Sequence, residues 1–299
     1  MTKITIATHC GIFHPDDVFA VAVLKIYLEG KGKQVEIIRT RDEEIINKSD
    51  YVVDVGEIYD AAKNRFDHHK KDLAGKRDNG ILYASFGLVW KHFGDKLVSN
   101  SEVWEAIDRK IVMPIDALDN AMNLSTPNYS GVREYSVYHV LSALSNPTGN
   151  VKPDDQFKKA LEIAQLILLG EIKKLESKIE SEKLVTAVIL KQGEPDLLIL
   201  EKYINWEVAV SKYKNIKLVI FPDGFADKWC LQVARDNPEI FANDRINFPE
   251  PWRGLSGNEL IKVSGLAGSL FCHASGYYAT AKTKDDAIQM ANRVIYLTS

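Results

Sequence analysis

The chain has 299 residues, of which 45% are hydrophobic and 26% charged, a composition that excludes a disordered, collagen-like or fibrous protein. The 38 basic and 41 acidic residues give a net charge of −3, which excludes a uniformly basic nucleic-acid coat but leaves room for a local basic groove. The three widely spaced cysteines form no disulfide framework, and we find no apolar run of membrane-spanning length and no apolar signal at the N-terminus. These features predict a cytoplasmic protein without a membrane partner.

The first part of the chain alternates strand and helix patterns. Apolar periodicity predicts strands over 4–8, 35–40 and 51–55, with a helix over 17–29. This order is typical of βαβ units, so we predict an α/β fold with a mainly parallel sheet flanked by helices. Helical spacing returns in three further segments: 84–93, 102–115 and 134–144.

A turn-rich run at 146–150 predicts a domain boundary, which places an N-terminal domain at 1–150. One apolar stripe predicts a long linker helix within 151–183. The remaining residues, 184–299, read as a smaller α/β domain. It contains predicted strands at 184–190, 196–200, 216–221 and 229–234, and a final helix that begins at Thr283 with Asp286 as its capping partner.

The first group of chemically active side chains lies in the run THCGIFHPDD, which holds His9, His14, Asp16 and Asp17. The run follows the first strand and opens the first helix, where ligands gather in a parallel α/β sheet. A turn with a helix-capping Asp is the competing interpretation. Two His and two Asp within nine residues favour a metal or phosphate site.

A second group comes from the runs YVVDVG and RFDHHK. Asp54 ends a buried strand pattern, where a carboxylate is costly unless it is paired or bound to a metal. A capped strand end is the alternative for Asp54. The adjacent His68 and His69 point in opposite directions if their backbone is extended, so one can face a metal and the other a substrate. Asp67 can orient one of the rings. A chance His pair on a surface loop is the alternative.

The run MPIDALDN adds Asp116 and Asp119, which share one face of a predicted helix. A solvated helix end without a ligand is the alternative interpretation of this pair. Together, the four segments offer His and carboxylate ligands that suit Mn²⁺, Fe²⁺ or Zn²⁺ better than a calcium cage. One carboxylate can bridge two ions about 3.5–4 Å apart, as in two-metal hydrolases.

The order of these motifs resembles the DHH phosphoesterase superfamily and, more closely, the melanocyte-proliferating-gene family of metal-dependent hydrolases. The resemblance is carried by THCGIFHPDD, RTRD, YVVDVG, FDHH, IDALDN, FPEPWRGLSGNEL and FCHASGYYATAKTKDDAIQMA. It implies a DHH-type metal-binding catalytic domain, a C-terminal substrate-binding domain, and 3′–5′ exonuclease activity on RNA or short oligonucleotides with an activated water. It also implies two divalent metal ions, with Mn expected and Mg, Fe and Zn as alternatives.

The resemblance further assigns roles to residues. The implied metal ligands are His9, His14, Asp16, Asp54, His68 and one of Asp116 or Asp119, with Asp116 as the first choice. His69, supported by Asp67, would contact the scissile phosphate or protonate the leaving oxygen.

In the C-terminal segment, Arg253, His273 and Lys282 would bind substrate, and the Ser275-Gly276 turn would donate backbone N–H groups to a phosphate. A structural ion pair is the alternative for Arg253. Ala279-Thr280 stands where the family usually has a Gly-Gly pair, which implies a stiffer or narrower phosphate-binding loop.

Arg39 and Arg41 end the second predicted strand, where they either line the rim of the cleft or form structural ion pairs.

The sequence leaves two rival functions open. One is a small-substrate phosphatase or pyrophosphatase, and the other is a non-catalytic, metal-stabilised scaffold. A homodimer is a further expectation.

Overall fold

A computed structural model of the chain describes residues 3–70, 73–145, 151–238, 240 and 243–298. The chain forms two compact units, Met1–Glu176 and Ser177–Ser299, which divide inside a long helix. The turn-rich run 146–150, which we predicted as the domain boundary, lies outside the described residues.

The first unit contains a five-stranded sheet with the strand order β2-β1-β3-β5-β4. Strand β1 pairs in parallel with β2 and β3, β3 pairs in parallel with β5, and only β4 runs antiparallel. The predicted, mainly parallel sheet is therefore confirmed. Its strands are β1 (Ile4–Thr8), β2 (Val35–Arg39), β3 (Tyr51–Val53), β4 (Tyr59–Asp60) and β5 (Arg65–Phe66).

Helix α1 (Pro15–Gly30) is buried on all sides between Val18 and Leu24, which explains why its apolar residues fill every face. The other helices of this unit are α2 (Glu43–Lys48), α3 (Ser85–Phe93), α4 (Ser101–Ile107), α5 (Met113–Asp119) and α6 (Val137–Ser145). A π-helical turn, Asp108–Val112, joins α4 to α5. Pro114 follows this turn and has no N–H to continue a regular α-helical ladder.

The long helix α7 spans Pro153–Lys191 and therefore includes the segment 184–190, which we predicted as a strand. That prediction was wrong. Val185 and Ile189 lie four residues apart and are both buried, so the apolar run follows a helical face. A short run rich in β-branched residues does not distinguish the two structures by composition.

The second unit has a five-stranded sheet in the order β6-β7-β8-β10-β9, in which only β6 and β7 are parallel. Its strands are β6 (Leu197–Ile199), β7 (Leu218–Pro222), β8 (Trp229–Val233), β9 (Ser269–Cys272) and β10 (Tyr278–Ala281). Its helices are α8 (Glu207–Ser211), α9 (Gly257–Ser264) and α10 (Lys284–Thr298). Both units are thus α/β, as predicted, and the Thr283 hydroxyl accepts a hydrogen bond from the Asp286 N–H, the expected cap of α10.

No helix within the described part of the chain has both the length and the apolar character needed to cross a membrane.

Candidate metal centre

Three neighbouring parallel strands end at the same edge of the first sheet and deliver polar side chains there. His9 follows β1, Asp54 follows β3, and His68 follows β5 after one intervening residue. Helix α1 adds Asp16 and Asp17 from its first turn. Both of these aspartates are fully buried, and His9 and Asp54 are only 4% and 3% exposed. The sheet topology therefore gathers acids and imidazoles at one buried place.

His9 lies between two of the carboxylates. Its Nε2 atom is 3.2 Å from Asp17 Oδ2 and 3.4 Å from Asp54 Oδ2. The ring of the exposed His14 is 6.0 Å from the ring of His9, measured between centroids. The backbone N–H of His14 donates to Asp17 Oδ1 at 2.9 Å, which fixes the start of α1 against the cluster.

His68 contacts a second set of carboxylates. Its Nε2 atom is 3.2 Å from Asp119 Oδ2, 3.4 Å from Asp54 Oδ1 and 3.9 Å from Asp16 Oδ2. Asp119 is the last residue of α5, so a fourth segment of the chain reaches the cluster. Asp54 contacts both His9 and His68 and joins the two sets.

The backbone at Asp54 turns sharply where β3 ends. Asp54 has φ +56° and Gly56 has φ +93°, and both values lie in the left-handed region. Asp tolerates this region better than most side chains, and Gly adopts it freely. The Ser85 hydroxyl donates to Asp54 Oδ1 at 2.9 Å and holds the carboxylate in place.

The N-terminus of α3 binds two more of the acids. The N–H groups of Ser85 and Phe86 donate to the two oxygens of Asp16 at 3.0 and 2.8 Å, and the Gly87 N–H donates to Asp116 Oδ1 at 2.9 Å. A helix N-terminus stabilises negative charge, so α3 supports the acidic cluster. Sequence reasoning missed Ser85, although the small residues that open α3 in the run ASFG were the available signal.

His69 is oriented by Asp67. The Nδ1 atom of His69 lies 2.8 Å from Asp67 Oδ1, and the other carboxylate oxygen accepts the Glu57 N–H at 2.7 Å. The side chain of His69 is 55% exposed, whereas that of His68 is 9% exposed. The two rings do not point in opposite directions, as we expected. Their centroids lie 4.6 Å apart and both rings approach Asp54.

Asp116, the first choice for the ligand from α5, is engaged elsewhere. Its Oδ2 atom pairs with Arg77 Nη1 at 2.7 Å, and Arg77 Nη2 pairs with Asp108 at 3.1 Å. A Cβ atom on Gly87 would lie 1.9 Å from Asp116 Oδ2, so this close approach requires glycine. The choice of Asp116 is therefore corrected: Asp116 docks α5 on α3, and Asp119, one turn further on, faces His68.

The electrostatics are those of a crowded acidic site. Burial raises the pKa of Asp16 well above its usual value and that of Asp17 to about 7, and nearby carboxylates add to the effect. Burial lowers the pKa of His68, but Asp119 and Asp54 outweigh it and raise the pKa to about 11. Burial also acts to raise the pKa of Asp54, yet His68 and His9 hold it well below its usual value.

The donor set fits divalent metal ions. Within the described part of the chain, three groups of side chains bring ligand atoms close together: His9 with His14 and Asp54, Asp54 with His68 and His69, and Asp16 with His68 and Asp119. Asp17 Oδ2 and His68 Nε2 are buried yet have no hydrogen-bond partner of good geometry among the described residues. Buried polar atoms without partners are costly, and a cation at this place would satisfy both.

The substrate-binding residues predicted in the C-terminal segment all lie in the second unit. Arg253 donates from Nε to the Phe248 carbonyl at 2.8 Å and packs against Gly276. The N–H groups of Ser275 and Gly276 are bonded within their own turn, to His273 Nδ1 at 3.1 Å and to the His273 carbonyl at 2.9 Å. The expectation that this turn offers both groups to a phosphate is therefore corrected. The side chain of Lys282 is exposed.

The two arginines after β2 have different environments. Arg39 is a structural residue, because its guanidinium pairs with Asp154 at 2.7 Å, donates to the Gly11 carbonyl at 2.8 Å and lies 4.7 Å from the Phe157 ring centroid. Its side chain is only 4% exposed, so of the two alternatives for Arg39 the structural ion pair is the one observed. Arg41 is exposed and does line a cleft next to Asp54 and His69.

Comparison with known proteins decides the family. Residues 5–295 match the MYG1 exonuclease family model, described as "Uncharacterised protein family (UPF0160)". The chain belongs to the MYG1 exonuclease family. This confirms the membership that the sequence motifs indicated and, with it, the enzyme class, a hydrolase.

Relatives in the MYG1 family match almost the whole chain. The MYG1 protein of Dictyostelium discoideum is 29% identical over 324 residues, which cover 99% of this chain and 97% of that protein. The human MYG1 exonuclease is 30% identical over 327 residues, which cover 97% of this chain and 85% of that protein. Among solved structures, an exonuclease RecJ bound to manganese is similar at 14% identity and a TM-score of 0.30, over 98% of this chain and 90% of that chain.

Proposed function

We propose that this protein is a metal-dependent 3′–5′ exonuclease that hydrolyses RNA or short oligonucleotides with a dinuclear Mn²⁺ centre. One structural observation carries the proposal: the buried cluster of Asp16, Asp17, Asp54, His9 and His68, in which Asp17 and His68 each have a buried atom that lacks a hydrogen-bond partner of good geometry among the described residues. Relatives in the family named MYG1 exonuclease support the reaction class.

The metal ligands that we propose are His9, His14, Asp16, Asp54, His68 and Asp119. Asp54 and His68 each belong to two of the three ligand groups, so Asp54 is suited to be shared by two ions. When bound, the ions supply Lewis acidity that lowers the pKa of a water nucleophile and neutralises charge on the phosphate. Mixed His and carboxylate ligands favour Mn²⁺ over Ca²⁺.

His69 acts on the leaving side of the reaction. Its Nδ1 atom is held by Asp67, which leaves Nε2 of a half-exposed ring to face a substrate. The hydrogen bond to Asp67 stabilises the protonated imidazole and, together with the charge of Asp54, raises the pKa of His69, although burial acts to lower it. A protonated His69 can donate to the scissile phosphate or to the leaving oxygen.

The proposal is tested with His68→Ala and with His92→Gln as the matched control. His92 lies near the other end of α3 and bonds to the Tyr59 hydroxyl at 2.8 Å. End-labelled RNA and pyrophosphate are assayed side by side with Mn²⁺. We expect RNA shortening by the wild type and the control, and its loss in His68→Ala at an unchanged melting temperature. Activity on pyrophosphate alone would reject the nuclease in favour of a small-substrate phosphatase, and full RNA activity in His68→Ala would reject the metal centre.

A further inference from the structure

A cleft of about 590 Å³ opens beside the candidate metal centre. It begins at Asp54 and His69 and extends to Arg41 and Asn47, with Val55 forming part of its wall. A volume of this size holds a ligand of one or two nucleotide units. The cleft is built from the segments that follow β2, β3 and β5, so it belongs to the same sheet edge as the acidic cluster.

Arg41 is one of the residues that line the cleft. It makes no hydrogen bond or ion pair with any residue within the described ranges, and it is exposed. The other cation of the cleft, Arg65, donates instead to backbone carbonyls, including those of Lys63 and Ser49 at 3.0 Å. Arg39 is likewise committed to Asp154. Arg41 is therefore the cleft cation that remains available to a ligand.

The remaining charges of the cleft restrict what Arg41 can bind. Glu43 and Glu57 line the cleft together with Asp54 and Asp67, so acidic groups outnumber basic ones. An isolated arginine in such surroundings suits one phosphate group rather than a polyphosphate. The apolar side chains of Ile46 and Ile58 provide a surface for a ribose or a base.

We propose that this cleft is a subsite for the nucleotide next to the scissile bond, and that Arg41 binds a second phosphate that is not cleaved. The inference rests on the proposed function, because the scissile phosphate itself would lie at the metal centre beside His69. The enzyme should therefore prefer short oligonucleotides that carry a second phosphate next to the scissile bond. Every internal position of an oligonucleotide has this second phosphate, whereas an unphosphorylated dinucleotide lacks it.

The test compares three diadenylates: one without a terminal phosphate, one with a 5′-phosphate and one with a 3′-phosphate. We expect wild type to prefer one phosphorylated form by about 10- to 100-fold in kcat/KM, the range of a charge-assisted phosphate contact. Arg41→Ala should lose that preference, because the cleft then lacks the cation that binds the second phosphate. Arg41→Lys should retain part of the preference, because a point charge replaces a bidentate donor.

Lys48→Ala is the matched control. Lys48 is an exposed cation of α2 that pairs with Glu44 at 3.4 Å and does not line the cleft, so its loss should leave the preference intact. An equal preference in wild type and Arg41→Ala would overturn the subsite. If the wild type hydrolyses neither the three diadenylates nor RNA of greater length, the proposed function fails and the subsite fails with it. Hydrolysis of all three at equal rates by wild type overturns the subsite alone.

Discussion

The buried triad of Arg77, Asp108 and Asp116 offers a quantitative test of how the metal centre is supported. The side chains of the three residues are 6%, 9% and 0% exposed. Replacing Arg77 with Met keeps an apolar stem but leaves two buried carboxylates without their counter-ion. Removal of one partner from a buried ion pair costs about 3–5 kcal/mol.

This cost should appear in the melting temperature. For a unit of about 150–250 residues, 1 kcal/mol corresponds to roughly 2–4 °C, so we expect Arg77→Met to lower the transition of the first unit by roughly 6–20 °C. Thermal unfolding followed by circular dichroism gives the shift. Hydrogen exchange with mass spectrometry assigns it, because peptides from α3 and α5 should lose protection while those of the second unit should not.

Arg109→Met is the matched control for Arg77→Met. Arg109 lies in the same π-helical turn as Asp108, but it is 65% exposed and pairs with Glu105 only at 3.7 Å. An exposed pair of this kind contributes about 0–1 kcal/mol, so the control should melt within roughly 4 °C of wild type. Equal melting temperatures for the two variants would refute the reasoning that the triad anchors α5 on α3.

Three further predictions follow from contacts in the same unit. Gly87→Ala should lower the melting temperature, because its Cβ would lie 1.9 Å from Asp116 Oδ2. Gly170→Ala in α7, whose added Cβ would have nothing within 4 Å, should leave the melting temperature unchanged or raise it. Scanning calorimetry of both variants tests this difference. Asp119→Asn should weaken Mn²⁺ binding more than tenfold with little change in stability, whereas Asp116→Asn should lower stability with little change in Mn²⁺ binding. Titration calorimetry measures the binding and thermal melts measure the stability. The opposite assignment of the two effects would contradict this prediction. Mn²⁺ affinity should fall as the pH is lowered through 7, because the raised pKa values of Asp16 and Asp17 leave protons on the metal-free site that the ion must displace. Calorimetry in buffers of different ionisation enthalpy should show proton release near pH 7, and an affinity independent of pH between 6 and 8 would contradict it.

The strand-end positions of the site were predictable because they follow from local pattern. His9 and Asp54 come directly after short apolar runs that form parallel strands, and such strand ends meet at one edge of a sheet. The choice between Asp116 and Asp119 was not predictable in this way. Both lie on one face of α5, and the partner that removes Asp116 from the cluster, Arg77, is 39 residues away in sequence.

The errors have a common physical origin in contacts that are distant in sequence. The segment 184–190 is helical because Val185 and Ile189 face the core of the second unit, which short-range periodicity does not reveal. Arg39 belongs to the protein interior because Asp154, 115 residues later, reaches it from the first turn of α7. Ser85 was overlooked because its role depends on where α3 begins relative to Asp54.

The most direct test of the central claim is the rate at which Asp54→Asn shortens end-labelled RNA with saturating Mn²⁺. Asp54 contacts both His9 and His68, so it joins the two halves of the cluster, and its substitution by the isosteric amide removes charge with little change in shape. We expect the wild-type enzyme to release nucleotides from the 3′ end and the folded variant to do so at a rate reduced at least about 1,000-fold, because a catalytic metal ligand is lost. Undiminished RNA hydrolysis by the folded variant would contradict the assignment of this cluster as the catalytic metal centre.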